Sequence, residues 1–280
     1  MKILWLAVAA GCAWGQTPDI EEIMRRVALN QAKSQDLRSS YIYRQKQVLK
    51  MIRGNRKVAR EEHREYTITP KFRGVDRELV GFQGKYEDKG RFVEYDKPGL
   101  RYRGMDIDGD LLDSLADGMM HDKSGKDGLS KDLFPLTYHR QLRYKFTLVG
   151  QETHHGSPVY RVRFEPKVKP KLGDLEEGAI WKGEALIDAR EFQPVTIWTD
   201  MAWKMPLAVR TILGTNLRGV GFTVSYQKFA DDLWFPVSYG GEFEVRAVFL
   251  YHRTMTIAMT NSDFRHTDVT SNVAYAVEDK

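Results

Sequence analysis

The stretch DIDGDLLDSLAD sets Asp106, Asp108 and Asp110 at the first, third and fifth positions of a would-be calcium loop. Carboxylates at that spacing can ring a hard cation with oxygen. The rest of the loop does not follow: an EF-hand needs glycine at position six and glutamate at twelve, and this chain has Leu111 and Asp117 there. A helix start rich in aspartate explains the run more simply, because carboxylates offset the positive end of the helix dipole. His154 and His155 are adjacent, and neighbours on a strand point to opposite faces, so chelation by both needs an irregular turn. His121, His139, His252 and His266 are far apart along the chain. Ser157, Ser225 and Ser238 lack the sharp strand–turn–helix elbow of a hydrolase nucleophile. LRGVGF offers Gly219 and Gly221 without a following helix, so a phosphate loop fails on context. No catalytic residue, metal or cofactor is expected.

The constellation that remains is apolar. Trp181, Ile187, Met201, Trp203, Met205, Phe222, Trp234, Phe249, Met255 and Met259 fall on neighbouring segments. Methionine and aromatic side chains can line an adaptable pocket for an apolar ligand, and the same residues can equally be a core packed between helices and sheet. Trp198 alternates with Ile197, so one of the two faces away from that pocket.

The elements that must position these residues are mostly strands. TPDIEEIMRRVALNQAKSQ is a helix, with Thr17 and Asp19 as caps, Pro18 in the first turn and Asp19 with Glu22 as a capping box. Ile20, Ile23, Met24, Val27 and Ala28 make its apolar stripe. YIYRQKQVLKMI and KVAREEHREYTIT read as a hairpin turning at Gly54-Asn55, followed by RELVGFQGK and GRFVEYD. Residues 104–136 interrupt the pattern with a helical piece, DGDLLDSLADGMM, and a loop read as mobile, HDKSGKDGLSKD. Alternation then resumes through Leu142, Tyr144, Phe146 and Leu148, through Tyr160, Val162 and Phe164, and onward to Met255, Ile257 and Met259. A turn is expected at Gly156-Ser157-Pro158, a corner at Asp188–Pro194, and a short helix or bend in WKMPLAVRTIL. Period-two alternation means one wet and one dry face, which antiparallel sheets permit. About ten strands must curl, split or close. The expectation is one α+β, mostly β domain, 16–280, with the 104–136 segment and the first helix as covers and 266–280 as a tail.

The chain has 280 residues, a formal charge of +5 and a pI near 9.1. Its charges are interleaved rather than clustered, as in KVAREEHREY, which reads as a solvated strand face. A nucleic-acid stripe would need clustered cations beside aromatic platforms, so no nucleic-acid partner is expected. Lys2 followed by ILWLAVAAGCAW and AWG reads as a signal peptide over 1–15, cleaved before Gln16, and so a periplasmic or secreted protein. The apolar run is too short to span a bilayer. AAGC resembles a lipobox, the minority alternative in which Cys12 is lipidated and anchors the chain to the outer membrane. With cleavage at Gln16 no cysteine remains, which excludes thiolate chemistry in the mature chain.

WKGEALIDAREFQPV is similar to the Trp-x-Gly strand, Ile-Asp corner and proline-led return strand of the periplasmic lipoprotein-carrier superfamily, the LolA/LolB-like and outer-membrane lipoprotein-sorting-like proteins. FTVSYQKFADDLWFPVSY resembles the later strand pair of that superfamily, and the likeness runs over about 17–265. It implies an open half-barrel whose concave face, lidded by helices, holds acyl chains of a lipid or lipoprotein without covalent chemistry. The carriers hold their lid with an arginine near the first strands; Arg44 and Arg53 lie in that region and inherit no role. The alternative expectation is an envelope interaction or sensor module with a filled core.

Overall fold

In the computed structural model the described residues are 18–71, 74–102, 106–120, 126–129, 136–168, 181–201, 215–230, 233–247 and 251–267. The expected signal peptide, the WKMPLAVRTIL segment, most of HDKSGKDGLSKD and the tail beyond Thr267 lie outside them.

Eleven strands form one antiparallel sheet: β1 (Tyr41–Arg53), β2 (Val58–Pro70), β3 (Val75–Asp88), β4 (Arg91–Tyr95), β5 (Tyr144–His154), β6 (Ser157–Pro166), β7 (Trp181–Asp188), β8 (Pro194–Met201), β9 (Thr215–Ala230), β10 (Leu233–Ala247) and β11 (His252–His266). Their order is β4-β3-β2-β1-β11-β10-β9-β8-β7-β6-β5. Every neighbour is a sequence neighbour except at β1–β11, where the last strand pairs with the first. The chain is thus a meander closed through its ends and opened at one place, between edges β4 and β5. The excursion 96–143, with α2 (Ile107–Met120) and α3 (Tyr138–Gln141), is the connection across that opening. The result is an open, mostly β architecture with few helices, as the alternation predicts.

α1 (Ile20–Arg38) starts at Asp19, whose carboxylate accepts the Glu22 amide at 2.8 Å. Only half of the expected capping box forms, because the Glu22 side chain turns to Arg25 and Arg26 instead. The predicted stripe is buried at Ile23, Met24, Val27 and Ala28, and then continues as Gln31, Ser34 and Arg38. α1 lies against β10 and β5, and α2 against β1 and β2.

Two turns differ from expectation. The β1–β2 reversal puts Arg56, not Gly54 or Asn55, in the left-handed region, with φ 63°. The β5–β6 turn is His155-Gly156, at φ 47° and 84°, so Ser157 and Pro158 already belong to β6. This irregularity is what brings the His154 and His155 rings within 4.2 Å. Leu142 precedes β5 and is 59% exposed, so it does not share the face of Tyr144.

The corner after β7 does more than reverse the chain. Asp188 accepts the amides of Arg190 and Glu191, both at 2.8 Å, and Phe192 takes φ 53°. That conformation turns Gln193 inward, where its amide donates to Ser34 Oγ at 2.9 Å and to Asn30 O at 3.2 Å. Asn30 returns a bond to Glu191 O at 2.6 Å. Ser34, in the polar continuation of the α1 stripe, and its neighbour Asn30 are therefore the seat of this corner.

Candidate functional site

Strand register lines up one face of the sheet into rows. Leu148, Val162, Ala185, Ile197, Val224, Tyr239 and Met259 stand side by side from β5 to β11. Six spacings of about 4.8 Å make this row about 29 Å long. The next row carries Phe146, Phe164, Gly183, Thr199, Phe222, Gly241 and Ile257. Gly183 has no side chain because there is no room for one: a Cβ would stand 1.9 Å from Trp198 O and 2.9 Å from the Phe164 ring.

The sequence-predicted residues divide between three places. Trp181, Phe222, Met255 and Met259 lie on this face with exposures of 5, 3, 0 and 1%. The Trp181 ring meets Phe222 edge-on at 4.9 Å, and Phe222 meets Tyr239 at 5.3 Å. Ile187, fully buried, sits farther along β7 opposite Tyr160. Trp234 belongs instead to the joint with α1, donating Nε1–H to Glu191 at 2.9 Å and accepting from Arg38 Nη1 at 3.1 Å through its carbonyl. Met201 stands opposite Trp181 in register, and its side chain lies outside the described residues, as do Trp203, Met205 and Phe249. Ile197 is buried and Trp198, alternating with it, is 38% exposed on the other face.

The same face changes character across β1 and β2. Tyr43, Leu49 and Met51 of β1 and Tyr66 and Ile68 of β2 share it with Gln45, Gln47, Arg60, Glu62 and Arg64, all of them buried. This corrects the reading of KVAREEHREY as a solvated face: Arg60, Glu62 and Arg64 have side-chain exposures of 2, 1 and 4%. They are tolerated because each is compensated, as buried charge must be. Arg60 Nε donates to Glu62 at 2.9 Å, its Nη1 pairs with Asp106, and its Nη2 donates to Leu100 O at 3.0 Å. Arg64 pairs with Glu62 and Asp113, and the Tyr95 hydroxyl donates to Glu62. Burial lowers the Arg64 pKa, but the Glu62 and Asp113 carboxylates outweigh it and leave the group above its ordinary value. Burial pushes the Tyr95 hydroxyl up, and Glu62 adds to the shift. Tyr95 covers Gly84, where a Cβ would come within 2.3 Å of the ring.

Parity was the signal available in the sequence. Arg60, Glu62 and Arg64 share the even register of Tyr66 and Ile68, so whichever face those two bury must take the charges too. The odd residues take the opposite face, where Glu61 is largely covered by Lys50, Lys85 and His63 at 3.0–3.1 Å.

These arginines meet α2. Asp106 caps the helix through Gly109 N at 2.9 Å and pairs with Arg60. Asp108 takes Arg253 Nε at 2.9 Å and the Tyr251 hydroxyl at 2.6 Å. Asp110 faces Arg101 at 3.3 Å. The three aspartates thus diverge to separate cations rather than ringing one point. Among the described residues no cluster of three metal-ligating side chains occurs. Arg44 pairs with Glu65, and Arg53 with Glu87. Among the described side chains of α2 and its cap, Asp106, Asp108 and Asp113 reach Arg60, Arg253 and Arg64, Leu112 is fully buried and Leu111 packs against the core, whereas α1 is held by Ile23, Met24 and Val27.

A depression of about 490 Å³ lies on the opposite face around Trp198, Arg161, Arg163 and Glu184. Its charges answer one another: Arg161 bonds Glu152 at 2.8 Å and Glu184 at 3.1 Å, and Arg163 bonds Glu184 at 2.8 Å. Such a ladder is what a solvent-facing sheet surface presents. No helix among the described residues is long and apolar enough to cross a membrane.

No protein-family model matches the sequence, and no curated protein matches it. Solved structures with a similar arrangement include a LolA superfamily protein from Nitrosomonas europaea, at 8% identity and TM-score 0.34, over 89% of this chain and 94% of that one. A protein described as an outer membrane lipoprotein-sorting domain, from Vibrio parahaemolyticus, gives 10% identity and TM-score 0.37 over 89% and 95%. The MucA/MucB complex of Pseudomonas aeruginosa gives 10% and 0.22 over 89% and 99%. Likenesses at this level stop at the arrangement of strands and helices and assign no role to any residue here.

Proposed function

We propose that this protein is a non-enzymatic carrier or binding protein of the periplasm for a lipid, a lipoprotein acyl group or another apolar ligand. The ligand is held between the helix-bearing face of the sheet and its covers. The observation that carries this reading is the unbroken apolar row from Leu148 to Met259, which crosses seven strands on one face of the sheet. Each methylene moved from water to such a face is worth about 0.8 kcal/mol, so one acyl chain supplies useful affinity. The row is closed in this structure, so uptake needs a cover to lift. The cover we take to move is α2, which lies against β1 and β2 beside the β11 end of the row and is tied there by Asp106, Asp108 and Asp113, because ion pairs can exchange partners with water.

Native mass spectrometry of the protein purified from a bacterial periplasm, with organic extraction, tests the proposal. A discrete adduct of lipid mass, weakened in Phe222→Ala and Met259→Ala variants that still fold, supports it. A clean apo mass, with no uptake of added fatty acid or lipopeptide, sinks it. One observation favours a second reading, an envelope protein-interaction module. Edge strand β4 and its neighbour β3 expose Phe92, Val93, Leu79 and Val80 at 53, 39, 37 and 42%. Exposed apolar side chains on an unpaired edge are a site for strand addition by a partner.

A further inference from the structure

We propose that the cleft where β1, β2 and β11 meet the start of α2 is a seat for an anionic group, a phosphate or a carboxylate. It encloses about 290 Å³ and gathers Arg53, Arg60 and Arg253 with Tyr86, Tyr102 and Tyr251 around it. The register makes this gathering unusual. Arg53 and Arg253 are directly opposite each other in the β1–β11 pair, and Arg60 stands opposite Met51, two residues from Arg53 on the same face. Like charges directly opposite in a sheet are destabilising. Elsewhere the register sets cations against anions, as in Lys50–Glu61, Lys145–Glu165, Arg163–Glu184 and Lys182–Asp200. Three guanidinium groups converging from three strands, each able to donate in a planar fork, is the arrangement that recognises phosphate and carboxylate.

In this structure carboxylates from the protein itself answer those arginines. Glu87 of β3 pairs with Arg53, Asp106 with Arg60, and Asp108 with Arg253 at 2.9 Å. Two of the three carboxylates ride on α2 or its cap. When α2 lifts, Arg60 and Arg253 lose them, Arg64 loses Asp113, and Arg53, Arg60, Arg64 and Arg253 are left against Glu87 and Glu62. An arriving anion restores the balance. The aspartates of α2 are therefore internal stand-ins for the ligand's charged group, and anion binding and α2 release favour each other. The walls strengthen the attraction. The Tyr86 and Tyr102 rings meet at 4.7 Å, tilted by 47°, and the Arg253 guanidinium lies 4.8 Å from the Tyr251 ring, so the cations act in partly dry surroundings. The anion seat stands on this cleft alone. That the anion is the head of an amphiphile, whose tail runs along the Leu148–Met259 row, rests on the carrier reading above.

Isothermal titration of the purified protein with dodecyl phosphate, dodecyl maltoside and inorganic phosphate tests both statements. The seat predicts that dodecyl phosphate binds at least tenfold more tightly than neutral dodecyl maltoside. It also predicts that Arg53→Gln, whose partner Glu87 is on β3, abolishes that advantage while leaving the maltoside affinity unchanged, and that Arg253→Gln, which also frees Asp108 of α2, abolishes the advantage while tightening the maltoside affinity. Arg53, with its side chain 35% exposed, is the variant to rely on should Arg253→Gln lower the melting temperature severely. Inorganic phosphate binding as tightly as dodecyl phosphate, with the same arginine dependence, supports the seat and makes its anion a free one. Inorganic phosphate binding without uptake of either amphiphile supports the seat and refutes the carrier. Equal affinity for the two amphiphiles, unaffected by either arginine variant, overturns the seat and leaves the carrier standing.

Discussion

Asp113→Ala separates the carrier reading from a purely structural role of α2, because it moves stability and binding in opposite directions. Asp113 is 41% exposed at its side chain, while its partner Arg64 is 4% exposed and keeps a second carboxylate, Glu62, at 2.8 Å. Removing Asp113 therefore leaves no uncompensated buried charge. Its cost is that of a half-exposed pair, about 0.5–1 kcal/mol, not the 3–5 kcal/mol of a broken buried one. For a domain this size that lowers the melting temperature by about 1–4 °C. The loss falls on the contact between α2 and the sheet. If ligand enters only when α2 lifts, the observed dissociation constant is the intrinsic one divided by the open fraction. Lowering the opening cost by 0.5–1 kcal/mol raises that fraction about two- to fivefold. Titration with a fatty acid, followed by tryptophan fluorescence, should show affinity tighter by the same factor in a protein that melts earlier. Affinity unchanged or weakened, alongside the lower melting temperature, would show that α2 is a fixed part of the core.

Arg38 and Asp127 form a buried pair at 2.8 Å with side-chain exposures of 3 and 0%, so Asp127→Asn alone should cost about 3–5 kcal/mol in urea unfolding. Arg38→Met with Asp127→Asn should recover a large part of that loss, and a simple sum of the two single costs would contradict the pairing. Gly183→Ala forces a Cβ against the Trp198 carbonyl and should destabilise by about 1–3 kcal/mol, read from the same melts; a neutral result would deny the close approach of β7 and β8. Burial raises the Glu61 pKa, but Lys85, Lys50 and His63 outweigh it and pull it from 4.5 to about 2. A folded value below the unfolded one gives stability that is full above about pH 4.5 and lost as pH falls towards 2. Glu61→Gln should flatten the acid limb of the stability–pH curve in that window, and an unchanged limb would remove Glu61 from the account.

The sheet was legible because its strands on the β5–β11 side alternate cleanly. Tyr160-Val162-Phe164 and Met255-Ile257-Met259 each put every second residue in one apolar face, and the structure buries all six. The α1 stripe was legible only as far as its apolar part. Gln31, Ser34 and Arg38 continue it at helical spacing, and Ser34 and Arg38 hold their inward positions through partners elsewhere in the chain. Those partners, Gln193, Asp127 and the Trp234 carbonyl, are 89 to 196 residues away, and no local pattern announces them. The same holds for the turns. Arg56, His155 and Phe192 take positive φ although none is glycine, because closing the hairpin or docking the corner outweighs the local cost.

The candidate site was legible in half for the same reason. Its apolar half announces itself by hydrophobicity. Its charged half hides in β2, where both faces carry charge and, in the sequence, only the parity shared with Tyr66 and Ile68 tells them apart. What distinguishes the faces is compensation: Arg60, Glu62 and Arg64 are inside because Asp106, Asp113 and Tyr95 come from another segment to meet them, and Glu61 takes the opposite face because Lys50 and Lys85 flank it across the sheet. Replacing those inward charges by apolar residues of similar volume would often stabilise a protein, so their presence is not explained by stability. Ion pairs such as Arg60–Asp106, Arg253–Asp108 and Arg64–Asp113 can be released by a competing charge, which a packed leucine contact cannot. That property is useless to a static core and is what the carrier proposed above requires of the element that opens.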